Sequence, residues 1–230
     1  MEESSMRDAL TLLVVCGAVG GVSMATEPGF VPIFNGTDLA GWEGKPGAWR
    51  VERGAIVGES TPERPCKRTH YLYWTGGEPA DFILRAKIKL IGGNSGIQFR
   101  SAKRPDFDTF GYQADFDAAN QYTGCLYQHK RGLVARRGER VVFTETGQRQ
   151  VERFADFEGL LKHVRQNDWN DYEIIARGNR LTLRLNGQLM CEVEDRDPQL
   201  ARRKGIIALQ MHQGPPMRVE FKDLRIKVLK

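Results

Sequence analysis

The sequence predicts an all-β protein, a sandwich of antiparallel sheets, and three observations carry that expectation. First, apolar residues alternate with polar ones at period two. In Phe82–Leu90, residues Phe82, Leu84, Ala86, Ile88 and Leu90 fall on one side, with Arg85, Lys87 and Lys89 on the other. Leu181, Leu183 and Leu185 alternate in the same way against Thr182 and Arg184. Such a pattern marks strands with one face buried and one face wet. Second, these short runs recur along the chain and are separated by Gly, Asn, Asp and Pro. Third, the stretch from Trp169 reads as two strands joined at Gly178–Asn179, followed by a turn at Asn186–Gly187. A later strand, from Ile206, carries His212 out of an apolar run.

Taken in chain order, the first residues do not read as part of the sandwich. Arg7 precedes an apolar run from Ala9 to Val22 that ends in Ser23-Met24-Ala25, a small-x-small cleavage signature. We therefore expect a signal peptide over residues 1–25, cut after Ala25, and export of one domain spanning 26–230. The apolar run is too short and too Gly-rich for a spanning helix of about 20 residues. No second apolar segment of that length follows, so no membrane span is expected. Residues 1–25 contain Glu2, Glu3, Asp8 and Arg7, so their loss takes the formal net charge from +5 to about +7, a modest basic excess. Cys66, Cys125 and Cys191 would remain, an odd number without a CxxC pair. One disulfide plus a buried thiol fits, and so do three buried thiols.

The region 128–168 reads as a long polar excursion with a hairpin around Val141–Phe143, and excursions of that length often border a binding site. Helical signals are confined to Phe154–Val164 and Pro198–Lys204. The last strand, Arg218–Val228, should slip register near Lys222–Asp223, because Phe221 and Leu224 break strict alternation, as at a bulge.

Three strands send unusual groups to their polar side. Gln98 and Arg100 oppose Ile97 and Phe99. Gln113, Asp115 and Asp117 oppose Tyr112, Ala114 and Phe116. Ala208, Gln210 and His212 oppose Ile207, Leu209 and Met211. A solvated sheet face is usually Lys, Glu and Thr, as at Arg85, Lys87 and Lys89. Planar amides with one Arg, Asp and His instead provide fixed donors and acceptors for a polyhydroxyl ligand, on which aromatic rings stack. Tyr122, Tyr127, Trp74 and Trp42 are the aromatic candidates. The bland alternative is that these polar groups pair with one another on a wet surface.

Motifs for other chemistry are missing from the sequence. His70, His129 and His163 lack metal-ligand spacing, and there is no HExxH, GxSxG, GxGxxG or Walker loop. Asp115 and Asp117, two residues apart on a strand, should sit roughly 7 Å apart. That spacing loosely suits the carboxylate pair of a conventional glycosidase. The clusters Arg136–Arg137 and Arg202–Lys204 read as solvated turns, so no nucleic-acid partner is expected.

These residues resemble the 3-keto-disaccharide hydrolase family. The likeness runs through Phe30–Trp42, Trp49–Ile56, Gly93–Arg100, Gly111–Asp115, Thr123–Tyr127, Trp169–Glu173 and Leu209–Phe221. It implies a concanavalin A-like jelly-roll sandwich and a carbohydrate or glycoside substrate whose C3 hydroxyl has become a ketone. The ketone acidifies C2–H, a base removes that proton, and the glycosidic oxygen leaves by β-elimination before water adds. On this chain the resemblance implies Asp115 and His212 as base and acid, in either order, with Arg100 and Gln113 stabilising the enolate. Asn94 and Tyr127 would position the sugar; Gln98, Gln210 and Asp117, already placed by the alternation on the same polar faces, would complete the binding surface. Where relatives carry Tyr-Glu-x-Gln, this chain reads Tyr112-Gln113-Ala114-Asp115, so the acid stands two positions further along the same strand face. A divalent cation as electrophile is compatible with a carboxylate-rich site. The alternative function is a non-catalytic carbohydrate-binding module using the same face.

Overall fold

The alternation at Phe82–Leu90 becomes a strand whose residues are in turn buried and half-exposed along its length. It belongs to a computed structural model that describes residues 27–230. The expected signal peptide and its cleavage site lie outside the described residues. The strands run in chain order from β1 (Val31–Pro32), β2 (Trp42–Glu43), β3 (Trp49–Glu52), β4 (Ala55–Ser60) and β5 (His70–Trp74) to β6 (Phe82–Ile91). Next come β7 (Asn94–Arg104), β8 (Asp108–Asp117), β9 (Leu126–Gln128), β10 (Gly132–Ala135), β11 (Glu139–Phe143) and β12 (Arg149–Arg153). The chain closes with β13 (Asn170–Arg177), β14 (Arg180–Leu185), β15 (Gln188–Asp195), β16 (Ile206–Met211) and β17 (Met217–Val228).

These strands form two sheets. The ten-stranded sheet runs β12-β11-β15-β14-β13-β6-β17-β4-β3, with β1 paired to β17. The seven-stranded sheet runs β10-β9-β8-β7-β16-β5-β2. Pairing is antiparallel except between β11 and β15, the one parallel pair among the described residues. The result is the jelly-roll sandwich that the sequence predicts.

The two inner faces share one core. Phe82, Leu84, Ile88, Ile174, Leu181, Leu183 and Leu185 come from the larger sheet, and Leu72, Ile97, Phe99, Tyr112, Ala114 and Leu209 from the smaller. Phe82 meets Phe99 edge-on with ring centroids 6.3 Å apart, and Phe99 stacks on Tyr112 at 5.7 Å. Each large apolar side chain so buried contributes about 1.5–3 kcal/mol.

The punctuation falls where the sequence places it. β13 and β14 are joined at Gly178–Asn179, and the β14–β15 turn holds Asn186 and Gly187 at φ 50° and 80°, the left-handed pair of a tight hairpin turn. The β17 register shifts between Lys222 and Arg225, with Asp223 at φ 53°, which is the expected bulge. β11 and β12 form the hairpin expected around Val141–Phe143.

The helical expectations need correction. Only a short 3-10 turn, Gly159–His163, forms within Phe154–Val164, and Pro198–Lys204 contains no helix. There Asp197 accepts the backbone N–H groups of Gln199 and Leu200, at 2.8 and 3.0 Å, which satisfies the segment as a turn. Cys66, Cys125 and Cys191 are all free and buried, so the second of the two cysteine alternatives holds. Among the described residues no helix is long and apolar enough to cross a membrane.

Candidate functional site

The outer face of the seven-stranded sheet is built from the residues that alternate with its core. Register places Ala208, Gln98, Gln113 and Tyr127 in one row across β16, β7, β8 and β9. The neighbouring row pairs Tyr71 of β5 with Gln210 of β16, and Gly96 of β7 with Asp115 of β8. Gly96 is required there: a Cβ at this position would stand 2.7 Å from the Ala114 carbonyl and 2.9 Å from Cγ of Gln113. Its absence lets the Gln113 side chain lie flat across β7.

These side chains bond one another. Gln98 Nε2 donates to Gln113 Oε1 at 2.9 Å, and Ser101 Oγ donates to Gln98 Oε1 at 2.6 Å. The Gln113 amide donates to Asp115 Oδ1 at 2.6 Å and to Gln210 Oε1 at 3.1 Å. Gln210 in turn donates to the Tyr71 hydroxyl at 3.0 Å. The layer is therefore an interlocked set of amides, with each buried polar group partnered.

A cleft of about 500 Å³ opens above this layer, within the range of small-molecule sites. Its floor is Tyr71, Gln113, Asp115 and Gln210, and its walls include Asn94, Tyr127, His129 and His212. Tyr122 stands on the rim, 43% exposed. At one end the turn Pro105–Phe107 folds over the sheet, and Phe107 packs against the cluster of Tyr71, Tyr73, Ile206 and Ala208.

Asp115 is the electrostatic centre of the cleft. Only 6% exposed, its carboxyl is pushed up to about 8, chiefly because burial penalises the charge. The Gln113 hydrogen bond opposes that shift, and the neighbouring Asp117 charge adds to it. Burial likewise raises the Tyr71 hydroxyl to about 12 and moves Tyr127 upward, the latter with help from Asp115.

The two imidazoles of the cleft are held differently. His212, just beyond β16, has Nδ1 against the carbonyl of Gln213, which can only accept. Nδ1 thus carries the proton, and in the neutral ring Nε2 keeps the lone pair. His129 is half-buried, edge-on to Tyr127 at 5.5 Å, with Nδ1 3.3 Å from both N and O of Gly111. Burial lowers its basicity.

Of the residues expected at the site, Asp115, His212, Gln113, Asn94, Tyr127 and Gln210 are brought together in this cleft. Arg100 is not. A bulge between Phe99 and Ala102 puts Arg100 at φ 44° and breaks the alternation that would have aimed it at Gln98's side. Its guanidinium is buried instead against the carbonyls of Ala80 and Gly178, both at 2.8 Å, and the Asp81 carboxylate at 3.0 Å. Gly205 makes room for that bulge, since a Cβ there would meet the Ser101 backbone at 2.4 Å.

Two further residues lie behind or beside the cleft. Gln98 is wholly buried beneath Gln113 and supports it from below. Asp117 turns aside to accept the backbone N–H groups of Gln121, Tyr122 and Thr123 at 2.7–3.0 Å, fixing the loop that carries Tyr122. The aromatic candidates Trp42 and Trp74 pack with the core, and Trp42 Nε1 donates to the Ile33 carbonyl at 2.8 Å.

Asp108 is the second carboxylate lining the cleft, but it is seven residues from Asp115 along β8, about 23 Å of strand, beyond the spacing of a glycosidase pair. Tyr71 and His129 were not singled out from the sequence. Their signals were present in the alternations Tyr71-Leu72-Tyr73 and Tyr127-Gln128-His129. Among the described residues no group of three or more His, Cys, Asp or Glu is arranged to hold a metal ion.

Residues 29–227 match the family model of the 3-keto-alpha-glucoside-1,2-lyase-like domain. Two solved structures from Parabacteroides distasonis ATCC 8503, each described as a candidate glycosyl hydrolase, share the fold. One is 17% identical with a TM-score of 0.58, covering 87% of this chain and 99% of that one. The other is 19% identical with a TM-score of 0.59, covering 88% and 94%. The carbohydrate-binding module CBM66 from Bacillus subtilis is also similar, at 15% identity and a TM-score of 0.53, covering 81% and 95%. At such identities the likeness is one of fold. No curated protein matches the chain.

Proposed function

We propose, from the premise that this chain belongs to the 3-keto-alpha-glucoside-1,2-lyase-like family, that it cleaves 3-keto-glycosides in the Asp115 cleft by C2 proton abstraction and β-elimination. The observation that carries this reading is the meeting, in one cleft, of a carboxyl kept protonated near neutral pH with an imidazole whose Nδ1 proton is committed to the Gln213 carbonyl. Burial makes the Asp115 carboxyl the acid and the tautomer points His212 Nε2 to the role of base, the two roles that general acid–base catalysis needs.

His212 Nε2 takes the C2 proton, and the electrons pass into the adjacent C3 ketone as an enolate. As the enolate collapses, C1=C2 forms and the C1–O bond breaks. Asp115 gives its proton to the departing oxygen. Water then adds across C1=C2, its oxygen bonding to C1 and a proton returning to C2, so that the sum is hydrolysis. The Asn94 amide and the Tyr127 hydroxyl are donors toward the sugar oxygens, and Tyr122 offers a ring face at the rim. Gln113 and Gln210 hold Asp115 and Tyr71 in place. The same reading has the protein exported after cleavage at Ala25 and working as one domain over 26–230.

The test incubates the protein with a nitrophenyl 3-keto-glucoside and with its unoxidised parent. Aglycone released from the ketone alone, with solvent deuterium entering C2, supports elimination. Release from both at similar rates sinks it in favour of ordinary glycoside hydrolysis.

A second reading, a binding-only carbohydrate module, draws on the closed hydrogen-bond circuit of the floor, which suits a rigid docking surface. Saturable binding of the ketone with cleavage of neither compound would establish it.

A further inference from the structure

A second cleft, of about 320 Å³, opens at the end of the sandwich beside the first. Consecutive residues divide the two: Thr69 and His212 line the Asp115 cleft, whereas His70 and Met211 line this one. Its rim carries Lys45, Arg64, Lys67 and Arg68 against one lining carboxylate, Glu59. Glu59 is already committed to Arg50 and Arg218, at 2.6 and 3.3 Å. Arg68 is paired with Asp106 at 2.9 Å, and Glu63 on the same loop accepts from Thr61. Glu63 also offsets part of the neighbouring Arg64 charge, so Lys45 and Lys67, with the remainder of Arg64, leave the cleft a net positive field.

The lining also contains a buried polar group without a partner. His70 is 6% exposed, and its Nδ1 has no hydrogen-bond partner among the described residues. The edge-on Trp49 ring beside it, at 6.1 Å, likewise has an unpartnered Nε1. Burial and the nearby Lys45 charge push His70 down to about 4, so the ring is neutral and keeps one N–H to offer. Buried polar groups left open in this way cost stability unless something bonds them.

We infer that this second cleft is a binding site for an oxyanion, a carboxylate or a sulfate ester borne by a sugar. The cations supply the charge, and the His70 ring supplies a donor or a contact at the floor. The sugar carrier rests on the carbohydrate reading above; the anion does not.

The experiment follows the His70 ring signals of the whole protein by NMR during titration with glucuronate, inorganic sulfate and glucose, at constant ionic strength kept with sodium chloride. Saturable shifts with glucuronate or sulfate, and none with glucose, are expected. The double variant Arg64→Gln/Lys67→Gln, altered at exposed positions only, should bind at least tenfold more weakly while cleaving 3-keto-glucoside as before. Tighter binding of glucuronate would point to a uronic acid, tighter binding of sulfate to a sulfated sugar, and either supports the site. No saturable shift with either anion, an equal shift with chloride alone, or undiminished binding in the double variant overturns it. Asp115→Asn should keep the full anion response, so failure of the elimination chemistry and failure of this site are told apart.

Discussion

On the outer face of the ten-stranded sheet Lys87 reaches Asp171 at 2.8 Å and Arg85 reaches Glu173 at 2.6 Å, both pairs partly in water. On the outer face of the seven-stranded sheet Gln98, Gln113 and Gln210 bond one another almost wholly out of water. Both faces arise from the same period-two alternation. The difference lies in what covers them. Charges in water are cheap to keep and contribute little. Amides beneath a cleft must find partners, and a carboxyl among them is held neutral. A polar face that excludes formal charge from its centre is thus the mark of a site, and each prediction below breaks or sharpens that contrast.

The largest effect should come from Asp115→Asn, which removes the acid while keeping the amide-like shape. Loss of a positioned acid–base group lowers kcat by about 10²–10⁴-fold, to be read in the 3-keto-glucoside assay. Stability should move the other way. The folded carboxyl holds its proton up to about pH 8, whereas the unfolded one releases it near its ordinary value of 3.8. Stability contributed by this group is therefore complete below about pH 4, declines through the interval, and is lost above about pH 8. Thermal melts of Asp115→Asn should show that slope removed and a higher midpoint than the parent at alkaline pH. In the parent, kcat/KM should fall as pH rises through 8, because the acid must be protonated.

Next in size is Arg100→Ala. Its buried guanidinium ties the β7 bulge to Ala80, Asp81 and Gly178. Leaving the carbonyls of Ala80, Gly178 and Arg202 without this donor, and Asp81 without its ion pair, should cost about 3–5 kcal/mol in chemical denaturation. The folded fraction should retain its kcat/KM, since Arg100 lies outside the cleft. A selective loss of kcat in a stable protein would instead return Arg100 to the chemistry.

Gln113→Leu tests the amide layer itself. It leaves Gln98, Gln210 and Asp115 each short of a partner, at a cost of about 1–3 kcal/mol. It also removes the one bond that holds the Asp115 carboxyl down. The alkaline limb of the pH–rate profile should accordingly move upward, a shift that simple loss of stability would not produce.

How much of this was legible follows from the range of each signal. Alternation is local, so the strands at Phe82–Leu90 and Leu181–Leu185, and the amide side of β8, could be read directly. The Lys222–Asp223 bulge was legible because Phe221 and Leu224 are both apolar and out of step. The Phe99–Ala102 bulge was not, because Arg100 and Ser101 are both polar and hide the slip. Asp117 resembled a site carboxylate because its role depends on backbone N–H groups of residues 121–123, which no side-chain pattern reveals. The alternation Tyr127-Gln128-His129 puts His129 on the side of Tyr127, but it joins the cleft through the pairing of β8 with β9, and local alternation does not say which strand lies beside it.

The smallest effect should come from Lys87→Ala on the salt-bridged face. The pair with Asp171 lies directly across β6 and β13 in register, as close a cross-strand partner as a sheet offers. Even so, both ends remain hydrated and both side chains must be ordered to meet. The loss should stay below about 1 kcal/mol and shrink as salt rises, which urea denaturation at two ionic strengths would read. Activity should not move. A loss matching that of Gln113→Leu, and insensitive to salt, would mean that the two outer faces are stabilised alike, and the contrast that singles out the Asp115 cleft would fail with it.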